Sequence, residues 1–160
     1  MRRTLAMIGL TALVLTPAVP RAQSQTASRS AQSATVTVPA NKLWVDSGIS
    51  VKKGESLQFC ASGEIVVSPD RATSGPAGVG DPDPRTLPVS TLPVGALIGM
   101  VDGVSFPIGA NTKPIKMIAS GPLQVGVNDW NFRDNSGAFK VQVSRSLAPN
   151  PRPCLTPEGQ

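Results

Sequence analysis

Two runs near the C-terminal end alternate cleanly between apolar and polar residues. Leu123, Val125 and Val127 form one apolar row, and Phe139, Val141 and Val143 form the other. A period of two marks strands with one buried face. Residues 34–38 (Ala-Thr-Val-Thr-Val) open the ordered part in the same way. Leu43, Trp44 and Val45 then lead through Ser47-Gly48 into Ile49 and Val51. Lys52-Lys53-Gly54-Glu55 reads as a hairpin turn into residues 56–61, where Leu57, Phe59 and Ala61 share one face and Gln58 and Cys60 the other. Ser62-Gly63 turns again before residues 64–67.

Residues 68–92 break the pattern, with prolines at 69, 76, 82, 84 and 88, and predict a long irregular loop. Asp81 and Asp83 lie near its middle, where they could contact a metal or a sugar or be solvated. Strand pattern resumes over residues 96–101. Asp102-Gly103 is a tight-turn dipeptide, and residues 104–106 and 114–118 are shorter strand candidates. Short strands at this spacing predict an all-β antiparallel sandwich of the jelly-roll, galactose-binding-domain-like kind.

Composition agrees, with 16 prolines, 15 glycines and no tyrosine among 160 residues. The net charge of +5 includes Arg2, Arg3 and Arg21, without which 12 basic residues face 10 acidic ones. Beyond the N-terminal segment no basic run exceeds Lys52-Lys53, which excludes a nucleic-acid footprint. Residues 1–22 read as a signal peptide, positive at Arg2-Arg3 and apolar from Leu5 to Leu15, cleaved after Ala18 or Ala22. The expected organisation is a disordered linker over 23–33, one sandwich over 34–143 and a proline-rich tail over 144–160. The mature protein is expected in the periplasm or outside the cell, without membrane insertion.

The loop between the two alternating runs carries the chemistry. Five oxygen-bearing side chains, Asn128, Asp129, Asn131, Asp134 and Asn135, fall within eight residues gripped by strands at both ends. Calcium takes about six to eight oxygens from carboxylates, amides and carbonyls. Ordinary turns use the same residue types, so both readings stand at this point.

The order of short motifs resembles the PA-I galactophilic lectin family, calcium-dependent galactose-binding sandwiches. Trp44-x-Asp46-Ser47-Gly48-Ile49, Gly54-Glu55 and Ala61-Ser62-Gly63 begin the match. Gly95-Ala96-Leu97-Ile98, Ser120-Gly121, Asn128-Asp129 and Asp134-Asn135-Ser136-Gly137 complete it, over roughly residues 42–143. The resemblance implies a calcium ion held by Asp129, Asp134, Asn135 and a carbonyl near Val67. It also implies a carbohydrate at Asp129, Asp134 and Asn135, packed on Trp130 or Phe132, with Asp83 from the long loop. Alternatively, one of the two aromatic rings plugs the sandwich end. The chain departs from the family in a loop shorter by about two residues, a missing threonine and the absence of any histidine. The ion cage could survive these changes with galactose recognition altered or lost.

Without histidine the usual general base is missing, and no serine has a nucleophile-elbow context, so a binding module rather than an enzyme is expected. A structural or adhesion-type sandwich, its calcium only stiffening a loop, is the alternative. The sugar and the oligomeric state, a homo-oligomer included, are left open. Two cysteines in an exported chain usually pair. Cys60 faces away from Leu57 and Phe59, where a returning tail could bring Cys154.

Overall fold

The computed structural model describes residues 33–67, 72–83, 87–145 and Cys154. The expected signal peptide, nearly all of the linker and most of the tail lie outside the described residues. Among the described residues ten strands form two sheets packed face to face, an antiparallel β-sandwich as the alternation predicts. They are β1 (Ser33–Pro39), β2 (Val45–Val51), β3 (Ser56–Ser62), β4 (Ile65–Val67), β5 (Ala72–Ser74), β6 (Leu97–Val101), β7 (Val104–Pro107), β8 (Ile115–Lys116), β9 (Gly121–Val127) and β10 (Ser136–Arg145). Among the described residues no helix is long and apolar enough to cross a membrane.

One sheet runs β5-β4-β10-β3-β8, with β1 also paired to β10; the other runs β2-β9-β6-β7. Strands β3 and β4 keep one register along β10, since Lys140 faces Ser62 and Ser136 faces Val66. Gly63 makes the break between them possible. Its φ is +101°, and a Cβ there would sit 2.8 Å from the Ala138 carbonyl, so only glycine fits.

The alternating apolar rows of β9 and β10 are sealed in the core: Leu123, Val125, Val127, Phe139, Val141 and Val143 are all 0% exposed. Phe59 meets Phe106 edge-on between the sheets, with ring centroids 6.3 Å apart. Burying each such side chain contributes about 1.5–3 kcal/mol. Strand β2 absorbs extra residues between Asp46, paired with Gln124, and Ser50, paired with Pro122. Ser47 serves that bulge, donating to the Leu123 carbonyl at 2.7 Å and accepting from the Ile49 amide at 3.2 Å.

The long loop departs from expectation. It holds strand β5, paired with β4, and a bridge between Val79 and Val94. The expected turn at Asp102-Gly103 is present, both residues at positive φ. Cys60 and Cys154 form a disulfide with their Cα atoms 5.3 Å apart, on the polar side of β3 as alternation required.

Candidate functional site

Strands β9 and β10 lie in opposite sheets, so residues 128–135 cross from one sheet to the other at one end of the sandwich. The crossing is short and must turn sharply. Phe132–Asp134 form a 3-10 turn, closed by the Asn135 amide donating to the Phe132 carbonyl at 3.2 Å. Short polar side chains suit such turns because they bond to nearby backbone.

Asp129 is the centre of the crossing, only 7% exposed. Its Oδ1 accepts from the Asn131 amide at 2.8 Å, and its Oδ2 accepts from the Asn135 side-chain nitrogen at 2.9 Å. The Asn131 side chain in turn donates to Asp134 Oδ2 at 3.0 Å, so Asn131 ties the two carboxylates together. Asn135 is buried and Asp134 exposed. The register of β4 on β10, with Val66 facing Ser136, brings Val67 level with Asn135. The structure therefore gathers Asp129, Asp134, Asn135 and Val67 at one end.

Two further features bear on a cation. The Asp129 carboxylate is buried, yet its partners are neutral N–H groups, and among the described residues the one ion pair joins Arg145 to Glu55. A buried carboxylate without a counter-charge is costly and favours a cation nearby. Second, turning the Asn135 amide over would place its oxygen 2.9 Å from Asp129 Oδ2. That matches the spacing of two neighbouring oxygens about 2.4 Å from one calcium ion. With the Asn135 amide turned over, Asp129 and Asn135 would offer a hard cation two neighbouring oxygens. Among the described residues no three Asp, Glu, His or Cys side chains gather, so such a cage would draw on amide and main-chain oxygens as well.

Trp130 projects beside Asp129 with 60% of its surface exposed, and Phe132 is partly buried. Trp130 does not plug the sandwich end. Asp83 is exposed, on the stretch between the bridging Val79 and the buried Val89. Asn128 overturns one part of the sequence reading. Its side chain does not join the Asp129 cluster but turns into the long loop, bonding Val89, Leu92 and Pro93. The sequence signal was present: Asn128 follows Val127 and precedes Asp129, so alternation alone sets its side chain apart from that of its acidic neighbour.

No family model matches the chain, and no curated protein matches it. Among solved structures, the N-terminal domain of EclA, described as a PllA-like lectin, is similar. It superposes with a TM-score of 0.57 at 25% identity, over 71% of this chain and 96% of that one. The likeness supports a lectin-like domain without singling out the PA-I lectins. The chain shares its β-sandwich with a lectin domain along almost the whole of that domain.

Proposed function

We propose that this chain is an exported, calcium-dependent carbohydrate-binding module whose site is the crossing between β9 and β10. The observation that carries the reading is Asp129, a buried carboxylate with no cationic partner among the described residues, beside the exposed Trp130 ring. Asp129, Asp134, Asn135 and the Val67 carbonyl would hold the ion. Calcium would offer open coordination positions to vicinal hydroxyls, fixing the sugar's orientation. The indole face would cover the sugar's apolar side, as aromatic rings do in wet binding sites. Similarity to a lectin domain favours binding over catalysis. The Cys60–Cys154 disulfide favours an oxidising compartment, the periplasm or the exterior.

A second reading has its own observation. Asp129 and Asn135 already bond directly, so the crossing is closed by the chain itself. A calcium that only stiffens this loop would make the domain structural or adhesive. A glycan array probed with calcium and with chelator separates the two. Binding to a defined glycan class with calcium, lost with chelator, is expected; calcium binding with no glycan retained would favour the structural reading.

A further inference from the structure

We infer that Asn128 is the positioning residue of the candidate site, clamping residues 89–93 to the end of β9 so that they and the crossing form one wall. The inference rests on reading that end as the binding site. Asn128 is fully buried. Its Oδ1 accepts from the Val89 amide at 2.9 Å. Its Nδ2 lies 3.0 Å from the Val89 carbonyl, 3.0 Å from that of Leu92 and 3.1 Å from that of Pro93. A carboxamide has two N–H groups, so three carbonyls share them. Turning the amide over would set its oxygen against all three, and the network thus fixes its orientation.

The main chain of Asn128 grips the same segment. Its amide donates to the Ala96 carbonyl at 2.8 Å and its carbonyl accepts from the Gly95 amide at 3.2 Å. Asn128 therefore bridges Ala96 and Gly95 just past the last regular pair of β9 and β6, Val127 with Leu97. Residues 89–96 wrap a single side chain and its backbone. They also abut Val67, one of the proposed ligands, from the other side. A Cβ at Gly95 would come within 2.7 Å of Ser74 Oγ and 3.0 Å of Val67 Cγ1, so this segment packs between Asn128 and Val67.

The next residue is Asp129, whose two oxygens hold Asn131 and Asn135. Consecutive residues at one strand end thus anchor two different loops. Asn128 touches no proposed ligand atom with its side chain, yet it sets where the long loop stands relative to the ion cage. A substitution there should release the long loop and leave the cage in place. An amide that serves stability alone would affect both segments in parallel.

Hydrogen–deuterium exchange on the oxidised full chain tests this, following peptides within 87–96 and 127–136. In the wild type the two segments should open together, with the same denaturant dependence. Calcium chloride should slow both by the same factor. In Asn128→Ala, residues 87–96 should exchange about 100-fold faster, as expected when several buried hydrogen bonds are lost. Calcium should still slow 127–136 in that variant but no longer 87–96. Independent opening of the two segments in the wild type overturns the clamp, as does calcium protection that still reaches 87–96 in Asn128→Ala. Calcium that slows neither segment would count against the ion while the shared opening still decides the clamp. The wild-type comparison stands alone if the variant does not fold.

Discussion

The two ends of the sandwich are built from similar parts but balance charge differently. At the end holding residues 52–55 and 116–120, the Glu55 carboxylate pairs with the Arg145 guanidinium and accepts from the Lys52 amide at 3.0 Å. Main-chain bonds finish that end: Gly54 N to the Met117 carbonyl at 2.8 Å, and Met117 N to the Glu55 carbonyl at 2.7 Å. At the opposite end Asp129 is more deeply buried than Glu55, yet it meets only amides. One end is complete as a protein structure. Among the described residues no positive charge meets the carboxylate of the other, and that difference is the reason to place function there.

The largest effect should come from a residue of the core that lies between the two ends. Phe139 is fully buried in β10, and Phe139→Ala should cost about 3–5 kcal/mol. Denaturant unfolding should show the loss in calcium and in chelator alike. A loss seen only in chelator would mean that the ends do not share one core.

Breaking the Cys60–Cys154 bond should come next. It closes a separation of 94 residues, for which the chain-entropy model sets an upper bound of roughly 4–5 kcal/mol, and about 2–4 kcal/mol is the expected loss. Melts under reducing and oxidising conditions measure it. An unchanged midpoint on reduction would contradict the stabilising role.

Trp130→Ala separates binding from folding. At 60% exposure the ring adds little to the core, so stability should shift by less than about 0.5 kcal/mol. Glycan affinity should fall about tenfold or more, equal to about 1.4 kcal/mol. Unchanged affinity would remove Trp130 from the site. Glu55→Gln should have the smallest effect. Its ion pair is partly solvated, with side-chain exposures of 20% and 26%, so a loss below about 1 kcal/mol, shrinking with added salt, is expected. A salt-independent loss would mean that geometry rather than charge holds that end.

The alternating rows were legible because each buried side of a strand leaves a mark every second residue. Leu123 to Val127 and Phe139 to Val143 are core residues for that reason. The side of β3 that carries Cys60 followed from the same rule. Strand β5 left no such mark: Ala72-Thr73-Ser74 has no apolar alternation, and its pairing with β4 sets it. The pairing of β1 with β10 joins distant segments, which no local pattern encodes. At the crossing, residue types announced a polar loop but not its wiring. Asn128 and Asn135 are the same amide, and surroundings alone turn one to the long loop and the other to Asp129. A ligand, a turn former and a clamp look alike in one dimension.

The most direct test of the unbalanced end is a thermal melt of the wild type and Asp129→Asn, each with calcium and with chelator. A ligand bound only by the folded state, at about 100 times its dissociation constant, adds about 2.7 kcal/mol. With few carboxylates that constant should be about 10⁻⁴–10⁻³ M, as in other extracellular modules. Calcium at about 10–100 mM should therefore raise the wild-type midpoint and leave Asp129→Asn unmoved. A wild-type melt that is the same in calcium and in chelator would contradict the account.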